Sequence, residues 1–216
     1  MADRHELLAE LRRRDLLRPA RELGRPPGRL PSGLAALDRL CGGLPRARIS
    51  EVVVGPCGGA TVLSAVLAEA AARGAPAALV DPADGFDPVS ARAAGVALER
   101  LLWVRPPDER TALRAGELIL DAGGFEVLAL SLNAPEPTSR RGGPAAWARL
   151  DRLARRTGAL VLVLARRRTV GPFASLVATV ARCRARWRPS GAPGAPGRPW
   201  LAGVELEFEL ARRRGA

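Results

Sequence analysis

Closely spaced glycines between an apolar segment and a helical pattern are the first feature that could do chemistry. The segment GPCGGATV begins at Gly55 and follows the apolar run ISEVVV at residues 49–54. Glycines let the backbone approach a ligand closely, and successive amide groups at the start of a helix bind anions. The pattern therefore indicates either a phosphate-binding loop, with Gly55, Gly58 and Gly59, or a plain strand-to-helix turn.

The sequence lacks the side chains that such a loop would need for nucleotide hydrolysis. A working loop carries the motif G-x-x-x-x-G-K-S/T. The lysine position falls on Thr61 when counted from Gly55, or on Ala60 for a loop one residue shorter. Ser131 stands where a magnesium-binding carboxylate is expected after an apolar strand, and Ala83 stands where a water-polarising glutamate would be useful. We therefore expect no ATP hydrolysis and no required cofactor, while weak ATP or phosphate binding through backbone groups stays open.

The composition removes several classes of active site. The 216 residues include 34 basic side chains, all Arg, and no Lys, Gln or Tyr. Without lysine there is no Schiff base and no lysine general base. A single histidine, His5, cannot supply a two-histidine metal site and does not fit an ordinary Ser-His-Asp triad. The three cysteines, Cys41, Cys57 and Cys183, lack Cys-x-x-Cys spacing, so the sequence indicates neither zinc nor a disulfide framework.

Hydropathy and charge limit the partners. No apolar run reaches the length of a membrane span, and the N-terminal residues lack a signal-peptide core, which predicts a cytoplasmic protein without a membrane partner. The net charge of +12 is concentrated in residues 133–216, which carry seventeen Arg against five acidic residues. Such a field attracts polyanions or acidic protein surfaces, although a GC-rich coding sequence would also raise the Arg count.

Strand patterns alternate with helix patterns around the glycine-rich segment. Helical patterns cover 61–73, 88–94, 108–121 and 144–156, with a shorter helix opened by Ser32, and apolar strand patterns cover 49–54, 77–81, 101–104, 127–132 and 159–165. This alternation predicts an α/β fold in which helices cover both faces of a mostly parallel sheet.

The N-terminal residues differ from this core. Leu7, Leu8 and Leu11 form the stripe of a short amphipathic helix, and a Pro/Gly-rich linker follows it. We divide the chain into this helix and linker, a core domain and an Arg-rich tail, at residues 1–30, 31–211 and 212–216.

Two segments near the C-terminus have a strict two-residue period. Residues 181–188 place Arg at every second position, and residues 204–210 do the same with Glu. Both read as half-exposed strands, which we expect to pair antiparallel with the Arg row facing the Glu row. A charge ladder is favoured over a nucleic-acid site for this Arg stripe.

Residues 30–61, LPSGLAALDRLCGGLPRARISEVVVGPCGGAT, contain ordered motifs. A short helix with S-G-x-x-x-L-D, a GGLP turn, a strand and a glycine loop follow one another. This order resembles the N-terminal core of RecA recombinases, and the segment from Phe86-Asp87-Pro88 through Gly95-Val96 is similar to that family's LDP-x-x-A-x-x-x-GV pattern. The resemblance covers roughly residues 31–132 and implies a RecA-like P-loop core.

The resemblance also identifies what is missing. The positions that match the P-loop lysine, the metal aspartate and the catalytic glutamate of RecA hold Ala60 (or Thr61), Ser131 and Ala83. A short RecA relative without these groups resembles the ImuA family of SOS mutagenesis accessory proteins. That likeness implies a catalytically inactive protein that regulates or scaffolds translesion synthesis through RecA, an ImuB-like protein or an error-prone replicative-type polymerase.

Two loops stand where RecA has its DNA-binding loops. They carry Arg140 and Arg141 in one, and Arg166, Arg167 and Arg168 in the other. Both follow strands at the carboxyl edge of the predicted sheet, where parallel sheets bind ligands. These arginines either contact single-stranded DNA or form a solvated loop charge.

The N-terminal helix has two interpretations as well. Its stripe of Leu7, Leu8 and Leu11 either packs back on its own domain or docks on RecA or another partner as a helix in a groove. Other functions remain open beside the accessory role. They are a SulA-type inhibitor of cell division, a weak ATPase with an atypical loop, and a plain single-stranded nucleic-acid binder.

Overall fold

Strands and helices alternate along the chain, as the sequence predicts. The computed structural model describes residues 28–132, 143–188 and 200–213, with Trp200 described by its backbone alone. The strands are β1 Arg29–Leu30, β2 Leu44–Pro45, β3 Ile49–Val53, β4 Ala77–Val80, β5 Leu101–Val104, β6 Val127–Leu132, β7 Leu160–Ala165, β8 Ala174–Arg188 and β9 Trp200–Arg213. The helices are α1 Ala35–Cys41, α2 Gly59–Ala72, α3 Pro88–Ala93, α4 Glu109–Ala122 and α5 Pro144–Thr157, with 3-10 turns at Leu98–Arg100 and Gly171–Phe173.

Seven of these strands form one sheet in the order β5-β4-β6-β7-β3-β8-β9. Neighbours from β5 to β8 pair in parallel, and β9 pairs antiparallel with β8. The separate β1–β2 pair is antiparallel. This arrangement confirms the predicted α/β fold with a mostly parallel sheet and antiparallel strands at the C-terminal end.

Side chains of the central strands alternate between two apolar layers. In β7, Leu160, Leu162 and Leu164 pack in the layer that includes α1 and α2, while Val161 and Val163 pack in the layer that includes α4 and α5. All five are fully buried, as expected for a parallel strand covered on both faces. Burial at this density makes the sheet a rigid platform for the loops at its edge.

Local signals fix several helix ends. The Asp108 carboxylate accepts a hydrogen bond from the Thr111 backbone N–H at 2.7 Å, so Asp108 caps α4 where the helical pattern 108–121 begins. The beginning of α1 differs from the prediction that Ser32 opens it. The helix begins at Ala35, and Asp38 within it accepts a hydrogen bond from the Ser32 backbone N–H at 2.9 Å. An aspartate in the first turn therefore stabilises the entering chain from inside the helix.

The predicted Arg–Glu ladder is confirmed in the ribbon formed by β8 and β9. Arg182 lies 3.6 Å from Glu207, and Arg186 lies 3.3 Å from Glu205. All four side chains are more than half exposed, so each pair contributes about 0–1 kcal/mol to stability. The ladder orders the ribbon rather than supplying its main stability.

Both ribbon strands are longer than the charge pattern predicts. β8 begins at Ala174 rather than Ala181, because its first five residues are buried and have no polar alternation to reveal them. β9 continues through Arg213, so the first two residues of the predicted 212–216 tail belong to the sheet. The Arg212 guanidinium donates a hydrogen bond to the Gly171 carbonyl at 2.8 Å.

Candidate functional site

Two loops lie side by side where β3 and β7 end. We call residues 54–58 the glycine loop and residues 166–170 the arginine loop. β3 and β7 pair in parallel with Val53 opposite Ala165, so both loops leave the same edge of the sheet. The Val54 N–H donates a hydrogen bond to the Ala165 carbonyl at 2.9 Å. This edge is where an open parallel sheet places its ligands.

The glycine loop ends in a turn that glycine adopts without strain and that a residue with a side chain would not. Gly58 caps α2 with φ of 94°, a conformation that side-chain-bearing residues rarely adopt. Its carbonyl accepts a hydrogen bond from the Val62 N–H at 3.0 Å. A Cβ placed on Gly58 would lie 3.0 Å from Leu206 Cδ2 and 3.6 Å from Val180 Cγ1. The loop therefore packs directly on the apolar face of the ribbon.

The structure brings three of the predicted site residues together. Gly59, Ala60 and Ser131 line one small cavity of about 170 Å³ between α2, β6 and the start of α3. Ser131 is buried at 6% exposure, as its position in β6 requires. Gly55, Gly58 and Thr61 are absent from the described lining of this cavity. Ala60 and Thr61 both lie on a broad open groove of about 820 Å³ along α2.

A carboxylate supplies the charge of the small cavity. Among the described lining residues Asp87 is the one charged side chain. It accepts hydrogen bonds from the Ser90 hydroxyl and from the N–H groups of Ser90 and Val89, each of these two at 3.1 Å. The bond from the Ser90 hydroxyl is the main reason why the pKa of Asp87 lies below its ordinary value. Asp87 is therefore ionised near neutral pH and places one negative charge at the exposed edge of the cavity.

The turn from β4 to α3 forms the cavity wall. Asp81 directly follows β4, is 1% exposed, and accepts a hydrogen bond from the Phe86 N–H at 2.9 Å. Ala83 is exposed in the turn and is absent from the described lining. Asp84 lies 3.4 Å from Arg105 across the surface. Asp84 is thus a loop residue, and Asp87 caps α3.

A buried glutamate holds the arginine loop. Glu51 in β3 is 1% exposed, and its Oε1 accepts the N–H groups of Thr169 at 2.5 Å and Val170 at 3.1 Å. The side chains of Arg166, Arg167 and Arg168 are exposed just before this anchor. Sequence reasoning missed Glu51, whose only signal is a single acid within an apolar strand. A buried carboxylate needs such partners, because its desolvation is otherwise costly.

The other predicted contact residues fall outside the described ranges. They are Arg140 and Arg141 of the first predicted DNA loop and Leu7, Leu8 and Leu11 of the N-terminal helix. Within residues 28–132, 143–188 and 200–213, no group of three His, Cys, Asp or Glu side chains could hold a metal ion. The helices of these same ranges include none long and apolar enough to cross a membrane.

Comparison with known proteins identifies relatives of this architecture. A family model described as the RecA N-terminal domain matches residues 28–155. The chain is 38% identical to protein RecA of Methylococcus capsulatus over 104 residues, which is 47% of this chain and 30% of the relative. It is 41% identical to protein RecA of Symbiobacterium thermophilum over 103 residues, 46% and 29% of the two chains. For protein RecA of Thermus thermophilus the identity is 38% over 102 residues, 46% and 30%. The matched region is thus about three tenths of each relative's length.

Proposed function

The chain belongs to the RecA N-terminal domain family, and from this premise we propose that it is an ImuA-type accessory protein that does not hydrolyse ATP. In this role it acts in the SOS response to DNA damage by regulating or scaffolding translesion synthesis. The observation that carries the proposal is the loop that starts α2, where Ala60 and Thr61 occupy the lysine positions.

Electrostatics support the loss of ATP hydrolysis. A nucleoside triphosphate brings several negative charges to the loop, and a P-loop lysine normally offsets those on the outer phosphates. Here Ala60 and Thr61 supply no positive charge, and the described lining of the adjoining small cavity contains no cationic side chain.

The replaced carboxylates support the same conclusion. Ser131 occupies the buried position expected for the metal aspartate, and a hydroxyl is a weaker magnesium ligand than a carboxylate. Ala83 offers no base to an attacking water. Each such group usually contributes a few kcal/mol to lowering the barrier, so the combined replacement removes the hydrolytic machinery.

The proposed partners are RecA itself, an ImuB-like protein and an error-prone replicative-type polymerase, in the cytoplasm. A family member with a retained core and a changed nucleotide site can still use the surfaces of that core for protein contacts. The positive charge of residues 133–216 would also favour an acidic partner surface or DNA.

The test is a titration of the full chain into RecA on single-stranded DNA while ATP hydrolysis by RecA is followed. We expect the rate to change and to reach its new value at a stoichiometric ratio, with no hydrolysis by the protein alone. Hydrolysis of ATP by the protein alone would overturn the proposal that its nucleotide site is inactive. An unchanged RecA rate, together with no co-purification with an ImuB-like protein or polymerase, would overturn the accessory role.

Contact with single-stranded DNA is a second candidate function. It is favoured by the arginine loop, which presents three exposed Arg side chains beside a fixed anchor. Arg guanidinium groups bind phosphates and stack on bases, so a preordered loop lowers the entropy cost of binding. Binding of a labelled oligonucleotide at several salt concentrations would test this function without RecA.

A further inference from the structure

Two of the three cysteines lie together although they are far apart in the sequence. Cys57 belongs to the glycine loop and Cys183 to β8. Both are free thiols in this structure, Cys57 exposed and Cys183 half-buried. The third cysteine, Cys41, is fully buried in α1 and is also free.

The packing of the glycine loop explains this proximity. Gly58, the neighbour of Cys57, lies against Leu206 and Val180. Leu206 is the cross-strand partner of Cys183 in the ribbon, so their side chains share one face. Cys183 packs with Leu206 at the margin of the same apolar layer. The loop therefore places Cys57 over the ribbon face that carries Cys183.

The thiols differ in ways that suit an ordered reaction. A hydrogen bond with the Cys57 thiol raises the pKa of Cys183, and partial burial raises it further. The contact thus keeps the proton on Cys183 and leaves the exposed Cys57 as the sulfur that meets a reagent first. Redox-sensitive sites commonly have this arrangement of an accessible cysteine beside a resolving one.

We propose that Cys57 and Cys183 form a reversible disulfide when the protein meets a hydroperoxide. The Cys57 thiolate attacks one peroxide oxygen, the O–O bond breaks, and a sulfenic acid forms with release of an alcohol, or of water from hydrogen peroxide. Cys183 then attacks the Cys57 sulfur, the S–OH bond breaks, and water leaves as the S–S bond forms. The two thiols together lose two protons and two electrons, which reduce the peroxide. Excess low-molecular-weight thiol reverses the bond by exchange.

This modification site is independent of the proposed accessory function. The disulfide would join the glycine loop covalently to the ribbon, at the place where apolar contacts and the hydrogen bond between the two thiols now hold them. It would restrict both the loop and the start of α2, and so link oxidation to the shape of the sheet edge.

Cys41 provides an internal control. Its thiol is buried and donates a hydrogen bond to the Gly43 carbonyl at 3.3 Å. Burial is the main cause that raises the pKa of Cys41, so little thiolate is present at this position. We expect Cys41 to stay reduced while the other two thiols are consumed.

The experiment treats the reduced full chain with equimolar hydrogen peroxide and counts thiols after denaturation. Of the three thiols, two should be lost, with a Cys57–Cys183 linked peptide in the mass spectrum and a monomer on a non-reducing gel. Dithiothreitol should restore all three. The Cys57→Ser and Cys183→Ser variants should both fail to form the linked peptide, whereas Cys41→Ala should form it as the wild type does.

Three results would overturn the proposal. They are an unchanged thiol count, a Cys57 sulfinic acid with Cys183 intact, and a disulfide that links two chains instead of one. The mapping on the wild-type chain decides the question even where a variant folds poorly. Because the readout is a covalent bond and needs neither RecA nor ATP, it is unaffected by failure of the accessory role.

Discussion

The glycine loop and the arginine loop leave adjacent parallel strands at one sheet edge, yet the protein holds them by opposite means. The glycine loop consists of Val54, Gly55, Pro56, Cys57 and Gly58, without a charged side chain, and packs on apolar residues of the ribbon. The arginine loop carries three cations and is held by hydrogen bonds to one buried carboxylate. A neutral loop is held well by apolar contact. The Glu51 carboxylate instead binds backbone N–H groups of the arginine loop, so the charged side chains can remain exposed to water.

Of these two loops, only the arginine loop carries positive charge at this edge of the sheet. In an active P-loop the cation belongs to the loop before the helix. Here the cations follow β7, and the loop before α2 has none. An anion attracted to this edge would therefore meet the arginine loop rather than the start of α2.

Removing the anchor of the arginine loop should have the largest effect. In Glu51→Ala the backbone N–H groups of Thr169 and Val170 lose their acceptor, and the free energy of unfolding should fall by about 3 kcal/mol. Denaturation by urea measures it. Glu51→Gln keeps one acceptor oxygen and should lose roughly half as much. A Glu51→Ala protein as stable as the wild type would show that the anchor carries no stability.

A side chain added at Gly58 should cause the next largest loss of stability. Gly58→Ala places a side chain at positive φ and against Leu206, so the free energy of unfolding should fall by about 2 kcal/mol. Gly55→Ala is the matched control, because its Cβ would meet nothing within 4 Å and its φ is not positive. Equal losses for the two variants would contradict the packing of Gly58 on the ribbon.

Charge removal should have a smaller effect that separates the arginine loop from the ladder. The double variant Arg167→Ser, Arg168→Ser should lower the salt dependence of single-stranded DNA binding, by about 0.7 in log–log slope per lost phosphate contact. Arg182→Ser with Arg186→Ser removes the same net charge from residues paired with Glu207 and Glu205. The ladder variant should keep the wild-type slope. Equal changes in slope for the loop variant and the ladder variant would show that binding depends on net charge alone.

The smallest expected effect concerns pH at the neighbouring cavity. The pKa of Asp87 is lowered in the folded protein, so its stabilising contribution is full above the ordinary carboxyl value of 3.8 and is lost as pH falls through the lower folded value. The difference in melting temperature between wild type and Asp87→Asn should stay constant from about pH 7 to about pH 5 and shrink in more acid solution. A difference that grows in acid would contradict this sign.

Local chemistry explains which parts of the fold the sequence predicts. The helix over residues 108–121 and the Arg–Glu ladder follow from short-range periods, and both predictions are confirmed. The buried half of β8 lacks such a period, because both of its faces are covered. For this reason the strand begins seven residues before the predicted start at Ala181.

Long-range partners explain what the sequence does not reveal at the candidate site. Glu51 lies 118 residues before Thr169 in the sequence, so no local pattern predicts that its carboxylate binds the arginine loop. The contact between Cys57 and Cys183 likewise arises only when the ribbon packs on the glycine loop. By contrast, the meeting of Gly59 and Ala60 with Ser131 follows from parallel strands that end at a common edge.

The strand order also determines how long each strand remains without its neighbours while the chain is being synthesised. β4 pairs with β5 and β6, which follow it closely, whereas β3 pairs with β7 and β8 from the last third of the chain. At 5–20 residues per second, a ribosome needs roughly 6–24 s to add the 118 residues between Glu51 and the N–H group of Thr169. During that interval β3 has neither of its neighbours in the sheet, so its apolar side chains lack the cover that β7 and β8 later give them. The edge that carries the candidate site is therefore among the last parts of the domain to be completed.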